Sequence, residues 1–192
     1  MKDNSTAKVA IVVGSQSDLE RVLPAKHVLE DAGVKVFVDI VSAHRSPQLA
    51  PVYLNNAEEI GVDAIIAGAG LAAQLPGLLA PITHIPVIGL PLTSSKSFMG
   101  GLDALLSITH MPPGVPLVSG GIDSAKNVAL VVLRFLRHKD PKIQEYLETN
   151  RKAQYQEAVI DENQKLAEGK NAVMGSGLNK LLKEDQILKH QF

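Results

Sequence analysis

The 192-residue chain predicts an α/β fold, a three-layer doubly wound sheet of five parallel strands. Three observations carry that expectation. Short runs of Val, Ile, Leu and Ala, rich in β-branched residues, read as strands buried on both faces. Longer stretches between them carry apolar residues at helical spacing. The two kinds alternate about every fifteen residues, the rhythm of strand–helix crossovers in a parallel sheet.

The elements follow in order. Val9–Val13 is the first strand, and Gly14-Ser15-Gln16-Ser17-Asp18 leads from it into a helix. That helix carries an apolar stripe of Leu19, Val22, Leu23, Ala25, Lys26 and Leu29, reaches Asp31 and stops at Ala32-Gly33. Val34–Val41 is the second strand. Pro47 opens the second helix, marked by Leu49, Val52, Tyr53 and Ala57 and ended by Gly61. The third strand, Ala64–Ala67, is followed at once by Gly68-Ala69-Gly70. A short helix over Ala72–Leu79 contains Pro76, which is expected to distort it. Val87–Leu90 is the fourth strand, Gly100–Ile108 a helix, and Val115–Val118 the fifth strand. Asp123 or Ser124 is placed to cap a helix running to about Arg137. Right-handed crossovers bring the strand ends that carry the loops to one edge. For five strands the expected order is the flavodoxin-like 2-1-3-4-5.

The last third differs. Asp140-Pro141 is a helix-start signal, with Asp as cap and Pro in the first turn. From Lys142 to about Glu168 the chain is polar, with Ile143, Leu147, Ala153 and Val159 spread thinly along it. Such a helix spans roughly 40 Å. Its stripe is too thin for a core helix and suits packing on a neighbouring subunit. The expected organisation is one α/β domain over residues 1–168, including this helix. A tail over 169–192 follows, with Leu178–Leu188 either a short helix or a disordered or partner-bound segment.

Composition bounds the function. Basic residues number 19 against 20 acidic, a net charge of −1. No basic excess points to nucleic acid or an anionic membrane. The absence of cysteine removes disulfides, thiolate metal sites, iron–sulfur clusters and cysteine nucleophiles, and fits a cytoplasmic location. Met1–Lys8 is polar, without the apolar core of a signal peptide. His84, His110, His138 and His190 are scattered without metal-ligand spacing.

Three loops at strand exits carry the chemistry. In Gly14–Asp18, glycine permits a tight turn and Ser15, Ser17 and free backbone N–H groups suit a phosphate. Asp18 suits ribose hydroxyls, or alternatively caps the helix together with Ser17. The pattern is neither a Walker loop nor a GxGxxG fingerprint. In Ser42-Ala43-His44-Arg45, a permanent planar cation stands beside a side chain that moves protons near neutral pH. That pairing suits an anionic small molecule on which chemistry is done. In Gly68–Gly77, small residues let the backbone approach a ligand closely, or pack a turn against the sheet. The Ser94-Ser95-Lys96-Ser97 loop reads as polar and solvated, and Met111–Gly114 as a rigid turn.

Five blocks together, Val9–Asp18 (VAIVVGSQSD), Val41–Pro47 (VSAHRSP), Ile65–Gly77 (IIAGAGLAAQLPG), Pro86–Pro91 (PVIGLP) and Ile108–Pro116 (ITHMPPGVP), resemble the N5-carboxyaminoimidazole ribonucleotide mutase family of purine biosynthesis. The resemblance runs from Val9 to Gln156. It implies that Ser15 and Asp18 bind the ribonucleotide, with Ser17 at the phosphate and Gly14, Ser42 and Ala43 in the same wall. Arg45 would pair with the phosphate and His44 would be the acid/base. Gly68, Ala69, Gly70 and Leu71 would line the imidazole and the transferred carboxylate, with Gln74 beside them. The implied reaction moves a carboxylate from the exocyclic nitrogen to ring carbon 4, through CO2 held in the pocket, without metal, ATP or organic cofactor. The implied assembly is a homo-octamer with sites at subunit interfaces. Bacterial mutases usually carry histidine and glycine where this chain has Gln74 and Leu71, and the segment after Pro116 is about two residues shorter than in the family. The alternatives are a direct CO2-dependent aminoimidazole ribonucleotide carboxylase and a non-catalytic nucleotide-binding paralogue. The former usually has Arg-Ser-Asn in place of Gly-Leu-Ala in the third loop, and Lys in place of Arg45.

Overall fold

The computed structural model describes residues 6–167. The Leu178–Leu188 segment lies outside them. Five parallel strands form one sheet in the order β2-β1-β3-β4-β5, as the alternation predicts. They are β1 Lys8–Val13, β2 Lys35–Ile40, β3 Ala64–Gly70, β4 Val87–Leu92 and β5 Val118–Ser119. The helices are α1 Leu19–Asp31, α2 Leu49–Ile60, α3 Gln74–Leu79, α4 Leu102–Thr109, α5 Ala125–Leu136 and α6 Pro141–Ala167.

The near-continuous apolar strands follow from burial on both faces. Val9, Ile11, Val13, Ile66, Ile88, Leu90 and Leu92 pack on one side against Val22, Ala25 and Leu29 of α1 and Val128, Ala129, Val132 and Leu133 of α5. Ala10, Val12, Ile65, Ala67, Ala69 and Val87 pack on the other against residues of α2, α3 and α4. The split follows the two-residue period of a strand. Leu23, read as part of the α1 stripe, is 39% exposed, because the buried arc of α1 is only Val22, Ala25 and Leu29.

Several boundaries differ from the sequence expectation, each for a local reason. β3 continues through Gly68-Ala69-Gly70, which pair with Leu90-Pro91-Leu92; glycine and alanine leave the strand intact here because β4 lies close. β4 accordingly includes Pro91. The Gly89 carbonyl accepts from Gly120 N–H and the Pro91 carbonyl from Asp123 N–H. The nitrogen of Pro91 therefore faces the side on which β5 has already ended at Ser119, where a missing N–H costs no ladder bond. β5 is two residues long rather than Val115–Val118. Pro112, Pro113, Gly114 and Pro116 delay its entry into the ladder, and Val115 instead closes a turn onto the Pro112 carbonyl. Pro76 does not distort α3, since it lies in the helix's first turn, where a backbone N–H has no helical partner. Gly89 allows α4 to approach the sheet: a Cβ there would lie 2.5 Å from Ile108 Cγ2.

Neither Asp123 nor Ser124 caps α5 through its side chain. The Ser124 hydroxyl donates to the Ile122 carbonyl, and the Asp123 carboxylate is engaged elsewhere, as described below. Asp140 does cap α6: its Oδ1 accepts from Lys142 N–H at 2.9 Å. Two units divide within α6, Met1–Leu147 and Glu148–Phe192. In the first, Ile143 is fully buried and Tyr146 and Leu147 pack against the α1–α5 core. In the second, Tyr155 and Val159 are exposed. No helix among the described residues is long and apolar enough to cross a membrane.

Candidate active site

The loops that leave β1, β2, β3 and β4 meet at the C-terminal edge of the sheet, where open α/β folds bind ligands. Together they line a cavity of about 360 Å3, a size suited to a small molecule. Its wall contains every residue that the family resemblance places at the substrate except Gly68. Gly68 stays inside β3, where a Cβ would press on Leu92, Val22 and Val13 at 3.2–3.3 Å. It is a packing residue beneath the cavity rather than part of its surface.

The first loop is shaped by Ser15. Its hydroxyl accepts from Ser17 N–H at 3.4 Å and from the Ser17 hydroxyl at 3.1 Å, and its carbonyl accepts from Asp18 N–H. One tight helical turn, Gln16–Asp18, results and runs directly into α1. Capping thus falls to Ser15, and Asp18 makes no side-chain cap bond. Partial burial raises the pKa of the Asp18 carboxyl, opposed by the Arg21 guanidinium and the Ser17 hydroxyl. A carboxylate that carries a desolvation cost and does no capping is available for ligand hydroxyls.

That cost has a measurable sign. A carboxyl whose folded pKa is raised stabilises the fold below its unfolded value of 3.8, and this contribution is lost as pH rises through the folded value. At neutral pH the charge on Asp18 therefore weakens the fold. Asp18→Asn is expected to melt above wild type at pH 7, with the gain vanishing below about pH 4. Ligand affinity falls about tenfold, the worth of one hydrogen bond to a charged group. Calorimetric melting across pH, together with ligand titration, checks both halves.

The second loop is a turn over Ala43–Arg45. Ser46 N–H donates to the Ser42 carbonyl at 3.0 Å. The Ser42 hydroxyl accepts from Arg45 N–H at 3.2 Å and from Arg45 Nε at 3.3 Å. Ser42 thereby orients the guanidinium, leaving the terminal amino groups to a ligand. His44 lies next to it on the cavity wall, exposed in the single chain. α2 starts at Leu49 rather than at Pro47 because this turn carries the chain to Ser46 and Pro47, whose carbonyls accept the first helical bonds.

The third wall begins at Ala69 and Gly70 and turns at Leu71, whose φ of +54° lies in the left-handed region. That conformation favours glycine and costs a leucine free energy. Gln74 opens α3 at the cavity rim. Sequence reasoning missed four further wall residues: Ala73, Leu75, Thr93 and Ser94. The first two were hidden by their apolar character. The signal for the others was a pair of hydroxyls directly after a strand, at the edge where the other loops emerge.

Comparison with known proteins now decides the family. Residues 8–157 match the family model described as AIR carboxylase. The chain belongs to the AIR carboxylase family. Among relatives, it is 51% identical over 144 residues to the N5-carboxyaminoimidazole ribonucleotide mutase of Pyrococcus abyssi, covering 75% of this chain and 82% of that one. It is 46% identical over 145 residues to the mutase of the same name from Thermotoga maritima, covering 73% and 84%. The crystal structure of Treponema denticola PurE superposes with a TM-score of 0.73 at 23% identity, over 82% of this chain and 98% of that one. That likeness shows the fold alone. Among the described residues no group of three or more His, Asp or Glu side chains is placed to hold a metal ion.

Proposed function

We propose that this AIR carboxylase family member is an isomerase of de novo purine biosynthesis. It converts N5-carboxyaminoimidazole ribonucleotide to 4-carboxy-5-aminoimidazole ribonucleotide. One observation carries the reading: a cation, an imidazole and an uncapped carboxylate (Arg45, His44 and Asp18) share one cavity, in a chain about half identical to relatives named for that activity.

The chemistry assigns each a task. The Arg45 guanidinium pairs with the phosphate, and Ser15, Ser17 and Asp18 hold the phosphate and ribose. The N–CO2− bond breaks, CO2 leaves, and His44 donates a proton to the exocyclic nitrogen. Ring carbon 4 then attacks CO2 and surrenders its own proton to the same imidazole, which returns to its starting state. Ala69, Gly70 and Leu71 wall the space in which CO2 waits, and Gln74 lines it without a titratable proton. Retaining CO2 requires exclusion of water, yet His44, Arg45, Leu71 and Ser94 are exposed in the single chain. A second copy over the cavity meets that requirement. Leu49, Val52 and Ile60 of α2 also present exposed apolar surface. We therefore propose a homo-octamer with sites at subunit interfaces, working in the cytoplasm; sedimentation measures the assembly.

The deciding experiment supplies each substrate separately. Rapid conversion of the N-carboxylated ribonucleotide without bicarbonate is expected. Turnover of aminoimidazole ribonucleotide that depends on added CO2 would instead make the protein a carboxylase. Tight ribonucleotide binding without turnover in either assay would make it a binding protein.

A further inference from the structure

We propose that Arg21 and Asp123, which do not line the cavity, are positioning residues that fix Thr93 and Ser94 in its wall. The inference rests on the functional reading above and adds a support that it does not contain.

Thr93 is the first residue after β4, where the chain leaves the sheet. Its N–H donates to Asp123 Oδ1 at 3.0 Å, and its hydroxyl donates to Asp123 Oδ2. The same hydroxyl accepts from Arg21 Nη1 at 2.7 Å. Arg21 Nη1 also reaches both Asp123 oxygens, at 3.1 and 3.2 Å. Arg21, Thr93 and Asp123 thus form a closed ring between α1, the exit of β4 and the turn before α5. Asp123 is itself pinned. Its N–H donates to the Pro91 carbonyl, and its φ of +51° is a conformation that costs a non-glycine residue free energy. Burial disfavours its charge, but the hydrogen bonds from Thr93 and the Arg21 guanidinium outweigh that and hold its carboxyl below the usual range.

The ring joins two walls of the cavity. Arg21 follows the Gly14–Asp18 loop by one helical turn, and its charge acts on the Asp18 carboxylate. Thr93 has committed its hydroxyl to the ring, so it fixes where Ser94 stands. Both ion-pair partners are 39% exposed, and a surface pair of this kind adds little to global stability. Loss of the ring is therefore expected to appear at the cavity rather than in the melting temperature.

The test uses the full chain with Asp123→Gly and Asp123→Asn. Glycine accepts a positive φ without cost, so Asp123→Gly removes the carboxylate and relieves the backbone together. Asparagine keeps an acceptor for Thr93 N–H. In the ligand-free protein, amide exchange at Thr93 and Ser94 is expected to quicken about tenfold in Asp123→Gly, with the melting temperature near that of wild type. Affinity for 5-aminoimidazole ribonucleotide, without bicarbonate, is expected to fall about tenfold and KM to rise with it, while kcat changes little. Asp123→Asn is expected to recover most of both losses. Unchanged exchange at Thr93, or affinity and ligand-free melting that fall together in both variants, would overturn the proposal. A wild-type chain that binds no ribonucleotide would defeat the functional reading alone, because the exchange measurement decides the positioning claim without a ligand.

Discussion

His44→Asn is expected to lower kcat by about a thousandfold, within the range supplied by one positioned acid/base, while ribonucleotide affinity stays within a few-fold of wild type. The reason lies in the number of proton transfers. The departing nitrogen must gain a proton and carbon 4 must lose one, and among the cavity-lining residues only His44 carries an imidazole, whose ring nitrogens can both give and take a proton. Asparagine preserves much of the size and a hydrogen-bonding edge, but its amide neither releases nor takes up a proton near neutral pH. Binding is expected to survive because, in the proposed mode, the phosphate and ribose are held by other groups. Single-turnover kinetics beside calorimetric titration separate the two quantities. A His44→Asn protein with wild-type turnover would remove the imidazole from the mechanism, while a variant that lost affinity as steeply as rate would make His44 a binding residue.

Arg45→Ala is expected to do the reverse, raising KM and Kd about a hundredfold while kcat falls far less. A guanidinium that meets a phosphate through two charge-assisted bonds contributes roughly 1.5–3 kcal/mol for each bond made to a charged group. One such bond already corresponds to about tenfold in affinity. The Ser42 hydroxyl holds Arg45 through its backbone N–H and Nε, so the fork is presented in a set direction before a ligand arrives. Arg45→Lys is expected to recover only part of the loss, because an ammonium supplies charge without the planar fork. Inorganic phosphate as a competitor checks the assignment: it should compete measurably less against Arg45→Ala than against wild type. Equal competition would place the phosphate elsewhere.

Much of the fold was legible because its causes are local. A strand covered on both faces has to be apolar at successive positions, so Val9–Val13 and Ala64–Ala67 announced themselves. Asp140-Pro141 announced the start of α6, since a cap and a first-turn proline act within a single turn. The elements misjudged were those whose ends depend on a neighbour. Gly68–Gly70 remain strand because Leu90–Leu92 lie beside them. Pro91 is tolerated because β5 stops short of it, and Leu23 is exposed because only a narrow arc of α1 meets the core.

The candidate site divides along the same line. Glycine, serine, aspartate, histidine and arginine at strand exits are chemically conspicuous, and right-handed crossovers oblige those exits to share an edge. The residue types, their loops and their common rim were therefore fixed by the chain's own order. Only the folded molecule decided that Gly68 packs beneath the cavity while Thr93 and Ser94 enter its wall. It alone gave the cap to Ser15, releasing Asp18, and turned Asp123 from the α5 terminus toward Thr93 and Arg21. The contacts among Arg21, Thr93 and Asp123 join residues 30 to 102 positions apart. They are set by which groups remain unpaired once the sheet has formed, and no local pattern in the sequence encodes that.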